Sequence, residues 1–98
     1  MNVKFTLHNI IFEWDSQKAA ANLRKHNMNF ELACEAFFDP FICYLDDEII
    51  DGELREAIMG LSKNWQLLYV VFVLRDDIIR IISARLVTNA EREIYENK

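Results

Sequence analysis

Residues 65–86 read WQLLYVVFVLRDDIIRIISARL. Two apolar runs, Trp65 to Leu74 and Ile78 to Leu86, are rich in β-branched and aromatic residues and flank Arg75-Asp76-Asp77, the composition of two strands joined by a tight turn. A hairpin this apolar belongs in the middle of a sheet, so the rest of the chain is read as what extends and covers it. Upstream, Ala57 to Leu61 and Phe41 to Leu45 read as two further strands, with a turn at Lys63-Asn64 and an acidic connection from Asp46 to Gly52. Near the N-terminus Val3, Phe5 and Leu7 alternate with polar neighbours before Ile10, Ile11, Phe12 and Trp14 resume the apolar signal. Residues 3–14 therefore suit one strand or two short extended pieces.

Helical signals lie between these strands. Asp15 is placed to cap a helix carrying Ala19, Ala20 and Ala21, and Arg24, Lys25 and His26 complement the negative end of its dipole before Asn27, a residue type that tolerates the left-handed conformation. Asn29 caps a second helix with Phe30, Ala33, Cys34, Phe37 and Phe38 on one stripe, stopped by Asp39-Pro40. Thr88 and Glu91 have the spacing of a capping box, so a short helix is expected from Asn89 to Glu96 with Ala90 and Ile94 facing inward. The reading is a single α+β domain over residues 1–98, a mostly antiparallel sheet packed against two N-terminal helices with a short C-terminal helix.

Composition narrows the function. At 98 residues, 52% hydrophobic with two glycines and one proline, the chain supports one core. The longest apolar run, Leu67 to Leu74, is far short of a membrane span, and residues 1–11 lack a secretion-signal pattern, so the cytoplasm is the expected location. Cys34 and Cys43 have neither redox nor zinc spacing and read as buried thiols, and His8 and His26 have no partner at metal-ligand spacing. No metal or cofactor is expected. With glycine only at 52 and 60, a glycine-rich phosphate loop and a Gly-x-Ser-x-Gly elbow are both excluded.

The net charge is −5, and its distribution is uneven. Between Glu31 and Glu53 there are eight acids and no Lys or Arg, which suits a cationic partner or plain solvent. The arginines cluster later. Arg75 ends one strand, Arg80 sits among isoleucines, and Arg85 lies near the end of the next strand. Each guanidinium either pairs with a carboxylate, Glu13, Glu53 and Asp77 being candidates, or joins the others on one open sheet face as a phosphate clamp. Strict alternation puts Arg80 and Arg85 on opposite faces, so a bulge or strand end between them is needed to reunite them. Glu53 and Arg55 are candidates for a base and a charge donor, or form an exposed ion pair; Lys25 and His26 could reach a phosphate, or merely compensate the helix dipole. Trp14, Trp65, Tyr69 and Tyr95 read as core aromatics.

Taken together, Phe12-Glu13-Trp14-Asp15, Lys18, Asn22, Lys25-His26, Phe30-Glu31, Ala33, Phe37 and Asp39-Pro40 resemble the opening of the BrnT toxin family. Glu53, Arg55, Gly60, Ser62, Arg80 to Arg85, Thr88, Glu91-Arg92 and Tyr95 continue the likeness, leaving residues 1–9 as an extension. The sequence departs from the family pattern at Asn27, where Gly is common, at Leu86 and Asn89, where basic residues are typical, and at Phe72, where a histidine is often found. The resemblance implies a RelE-like fold and a ribonuclease toxin of a type II toxin–antitoxin module. It implies a BrnA-like antitoxin as partner, RNA as substrate, and operator DNA met only through the toxin–antitoxin complex. It further implies a metal-free route in which the RNA 2′-hydroxyl attacks the adjacent phosphate. Arg55, Arg75, Arg80 and Arg85 would stabilise charge, Glu53 and His26 would move protons, and Lys25 would hold the RNA backbone. The alternative is a weakened homologue that only binds an antitoxin, for which the acidic stretch is suited.

Overall fold

The N-terminal alternation resolves into two strands, β1 (Asn2–Leu7) and β2 (Ile10–Asp15), paired antiparallel with Leu7 opposite Ile10. His8 and Asn9 form the two-residue turn, both at positive φ (50° and 68°), the geometry that matches strand twist in tight hairpins. The computed structural model describes residues 1–97; Lys98, the last residue of the domain read from sequence, lies outside them. Asp15 ends β2 and caps α1 (Ser16–His26), its carboxylate accepting the backbone N–H of Gln17 and Lys18 at 3.1 and 3.0 Å. Asn27, at φ 53°, closes α1 as expected from its side chain.

The second helix is shorter than its stripe suggests. α2 spans Phe30–Glu35, and Ala36–Phe38 tighten into a 3-10 turn. That turn delivers Phe37 onto Phe12 and Phe72, with ring centroids 5.4 and 5.0 Å away. The two helices follow two strands, the order in which residues 3–38 are read. Three further expectations are corrected. Phe41 to Leu45 contributes only β3 (Cys43–Tyr44), because the Asp39 carboxylate bends the chain by accepting the N–H of Phe41 and Leu61, both at 2.9 Å. The acidic connection contains β4 (Glu48–Ile50), joined through Asp51 and Gly52, both at positive φ, to β5 (Glu53–Leu61), which starts four residues earlier than the apolar pattern indicates. Trp65 is not core: it sits in a turn at φ 63° and is 82% exposed.

β6 (Leu67–Arg75) and β7 (Ile78–Leu86) form the expected central hairpin in a seven-stranded sheet of order β1-β2-β7-β6-β5-β3, with β4 also on β5. Among the described residues, only β2 and β7 run parallel. Phe12, Phe30, Ile58, Val70, Phe72 and Ile81 fill the main core under α1 and α2. Cys43, Met59 and Leu67 form a smaller cluster with Tyr69, Val87 and Tyr95. Here α3 (Asn89–Glu96) packs, and it corrects the expected inward face: Ala90 and Ile94 are exposed while Glu91 and Tyr95 turn inward. The capping box aims Glu91 at the sheet, and Tyr95, four residues on, follows on the same side.

At Gly60 the sheet backbone and the Ala36 backbone approach closely. A Cβ there would lie 2.1 Å from the Ala36 carbonyl oxygen, a backbone atom that cannot swing aside. Gly60→Ala is expected to destabilise the chain by about 1–3 kcal/mol through overpacking, visible as a lower denaturant midpoint. An unchanged midpoint would mean the layers separate more easily than this contact implies.

Candidate functional site

Leu68, Val70 and Phe72 point into the main core, so Tyr69, Val71, Val73 and Arg75 face the side of the sheet away from α1 and α2. Across that side the register sets Ala57 beside Val71 and Val71 beside Ser83, and sets Met59 beside Tyr69 and Tyr69 beside Arg85. Carried one residue past Glu56 opposite Phe72, the β5 ladder puts Arg55 beside Val73, whose other neighbour is Arg80. The bulge that would reunite Arg80 with Arg85 is present. Ser83 pairs with Val71 and Ile81 with Phe72, leaving Ile82 unpaired. Ile81 and Ala84, three apart, both enter the core, and Arg80 and Arg85 consequently share the opposite face. With strands about 4.8 Å apart and two-residue steps of about 6.8 Å, the backbones of Arg55, Arg80 and Arg85 lie roughly 10–17 Å from one another.

Three of the four arginines also hold carboxylates. Glu53 takes Arg75 at 2.8 and 3.0 Å in an exposed pair. Glu13 takes Arg80 at 3.2 Å, and Asn2 bonds to both partners. Burial alone would raise the Glu13 pKa, but hydrogen bonds from Asn2 and Arg80, with the charges of Arg80 and Lys4, hold it below its ordinary value. The third pair was not foreseen: Glu91 takes Arg85 through two bonds of 2.8 and 2.9 Å, while the guanidinium lies 4.2 Å over the Tyr69 ring. Of the acids singled out in sequence, Glu13 and Glu53 are used; Asp77 instead forms the β6–β7 turn at φ 67°.

Glu91 carries a testable pH signature. The Arg85 hydrogen bonds, against a raising effect of burial and with the Thr88 backbone N–H adding to the lowering, bring its pKa from 4.5 to about 2. A carboxylate depressed on folding contributes stability that is complete above its unfolded value and is lost as pH falls through the folded one. The wild-type unfolding midpoint is therefore expected to drop between about pH 4.5 and pH 2 more steeply than that of Glu91→Gln. Parallel curves for the two proteins would contradict the assignment.

Arg55 differs from the other three. Its Nε is shielded from solvent and has no hydrogen-bond partner among the described residues, and its side chain lines a cleft of about 400 Å³ with Tyr69, Val71, Ile82 and Ser83. Asp46, Asp47, Glu48 and Glu56 line the same cleft. Lys25 and His26 are not among its lining residues. They end α1, whose Asn22 bonds the backbone of Ala84 beside Arg85, so the end of α1 lies around the β7 edge from the arginine face. Sequence reasoning missed Tyr69 and Ser83 as cleft residues because an apolar strand hides which face is open. Cys34 and Cys43 are buried free thiols; burial pushes Cys34 up and leaves it unreactive. No group of three or more metal-ligating side chains occurs among the described residues, and none of their helices is long and apolar enough to cross a membrane.

Residues 14–91 match the family described as "Ribonuclease toxin, BrnT, of type II toxin-antitoxin system". Among solved structures, the crystal structure of the Brucella abortus ribonuclease toxin BrnT is similar, with a TM-score of 0.52 over 78% of this chain and 94% of that one. At 20% identity that likeness speaks to the fold. No curated protein matches the chain.

Proposed function

The chain belongs to the BrnT family of ribonuclease toxins of type II toxin–antitoxin systems, and we propose that it cleaves RNA on the sheet face that carries Arg55, Arg80 and Arg85. The observation behind this is the bulge at Ile82, which sets Arg80 and Arg85 on the side already occupied by Arg55. Guanidinium groups suit a phosphodiester because their planar donors match two of its oxygens and they stay charged at any working pH. In the proposed reaction the 2′-hydroxyl loses its proton to a base and attacks phosphorus. Arg55, Arg80, Arg85 and Arg75 offset the charge that builds there, and an acid returns a proton to the departing 5′-oxygen. Glu53 is the proton-transfer candidate on this face, reached when RNA competes for Arg75. His26 is the second, with Lys25 holding an RNA backbone that continues from Arg85 around the β7 edge to the end of α1.

The RelE-like classification, a BrnA-like identity for the antitoxin, contact with operator DNA through the complex, and action in the cytoplasm belong to the same proposal. Induced expression without the antitoxin is expected to stop growth within a generation, and co-expression of the antitoxin to restore it. Purified protein is expected to cut labelled RNA equally well with and without EDTA. Cleavage abolished by EDTA would contradict the metal-free route.

A second reading has its own support. Three arginines are occupied by carboxylates, and four acids line the cleft with Arg55. That charge balance opposes RNA and suits a homologue retained to bind an antitoxin. Cells indifferent to induced expression would favour it.

A further inference from the structure

Glu48 holds a fixed place beside Arg55. The antiparallel ladder of β4 on β5 sets the two residues directly opposite each other, and both line the arginine cleft. Opposed residues in such a ladder project to the same side, with Cβ atoms about 4.5–5.5 Å apart. Backbone pairing sets this placement. Ile49 pairs with Leu54 and Ile50 with Glu53, Asp51 and Gly52 close the ladder at positive φ, and before β4 the Leu45 N–H bonds the Ala57 carbonyl at 3.0 Å. Asp46 and Asp47 lead into Glu48, and Glu56 follows Arg55, so the cleft sets four carboxylates around one guanidinium. The guanidinium groups of Arg75, Arg80 and Arg85 are already held by Glu53, Glu13 and Glu91, whereas the Arg55 Nε has no hydrogen-bond partner among the described residues.

We propose that Glu48, opposite Arg55, makes the cleft select a singly charged phosphate, the phosphodiester inside an RNA strand, over the doubly charged phosphate at a strand end. The inference deepens the proposed ribonuclease reading and rests on it. A phosphodiester carries one negative charge, which the Arg55 guanidinium meets with two planar donors. A terminal phosphate carries about 1.5 to 2 negative charges at neutral pH. Arg55 offers both the same donors, but the extra charge of the second meets a guanidinium already neutralised, with Glu48 on the neighbouring strand and three further carboxylates on the walls. That extra charge also gives up more hydration on entering. Glu48 therefore acts through Arg55 as a selectivity residue and takes no part in proton transfer. Cutting is directed to positions inside a strand, and an end that carries a terminal phosphate is released.

The test uses two probes that differ by one methyl group and one charge, a 2′-O-methyl nucleoside 3′-phosphate and its methyl ester. Their affinities for the full chain are measured at neutral pH by nuclear magnetic resonance titration, following the Arg55 signals. Wild type is expected to bind the methyl ester more tightly. Glu48→Gln is expected to narrow that preference about threefold, the effect of one charge about 7 Å away in a water-filled cleft, and Glu48→Asp to retain it. Both variants are expected to keep the wild-type unfolding midpoint, Glu48 being exposed. The wild-type preference is expected to shrink as salt rises from about 0.05 to 0.5 M. A merely structural role for Glu48 would move both affinities alike, and that outcome, or a wild type that prefers the doubly charged probe, overturns the proposal. If neither probe moves the Arg55 signals, the selectivity and the RNA site fall together. A preference that narrows in Glu48→Gln of a chain that cuts no RNA would support the selectivity and contradict the ribonuclease proposal.

Discussion

Arg55→Ala is expected to lower RNA cleavage by about 10²- to 10³-fold, the scale of removing one donor to transition-state charge, and to abolish growth arrest. Arg55 is the informative position because its loss strands no ion-pair partner: its Nε is shielded and unpartnered, and the side chain lines the cleft beside Tyr69 and Ser83. Stability is expected to change by less than about 1 kcal/mol, since no paired charge is exposed. Arg80→Ala is a poorer probe, because it leaves the buried Glu13 without its cation, and any loss of activity would mix with a loss of several kcal/mol of stability. Arg55→Lys is expected to recover only part of the rate, an ammonium lacking the planar pair of donors. Cleavage within a few-fold of wild type in folded Arg55→Ala would remove this residue from the site.

A large effect on stability is expected from Asn22→Ala. Asn22 is buried in α1, and its side-chain amide bonds the Ala84 carbonyl at 2.8 Å, the Met28 carbonyl at 2.9 Å and the Ala84 N–H at 3.2 Å. Where β7 runs past the two residues paired with β2, this side chain stands in for a neighbouring strand. Alanine would leave the Ala84 backbone groups buried and unpaired, at about 1–3 kcal/mol for each unsatisfied group. A total of about 3 kcal/mol corresponds to a fall in Tm of roughly 12–24 °C for a domain of this size. Because Ala84 adjoins Arg85, activity is expected to fall as well. A Tm within about 4 °C of wild type would show that the β7 edge finds other partners.

These two residues show what was legible in the sequence. The central hairpin, the caps at Asp15, Asn29 and Thr88, the stop at Asn27 and the carboxylate partners Glu13 and Glu53 follow from local chemistry, which acts over a few residues or demands a counter-charge. Other features depend on distant partners. β5 begins with Glu53, Leu54, Arg55 and Glu56, whose polar side chains carry no strand pattern of their own and which extend the strand only because β4 and β6 lie on either side. The Ile82 bulge is a property of pairing with Val71 and Phe72, invisible in an unbroken apolar run. Glu91 was legible as a cap and not as the partner of Arg85, because one carboxylate serves both. An asparagine within a helix otherwise rich in alanine is a signal that Asn22 bonds something outside the helix, since in an isolated helix it competes with the backbone. Trp65 reads as core in the sequence because apolar character alone does not separate a buried ring from one carried outward by a turn.

The central claim is that one sheet face, organised by the Ile82 bulge, receives the RNA phosphate. It is tested most directly by nuclear magnetic resonance titration of the full chain with an RNA blocked by 2′-O-methylation, following backbone and guanidinium signals. The account predicts the largest shifts at Arg55, Tyr69, Val71, Ile82 and Ser83, with the Arg80 and Arg85 side chains responding and Trp65 and Phe41 silent. Shifts confined to Trp65, Phe41 and His8, with Arg55 and Ser83 unmoved, would contradict it.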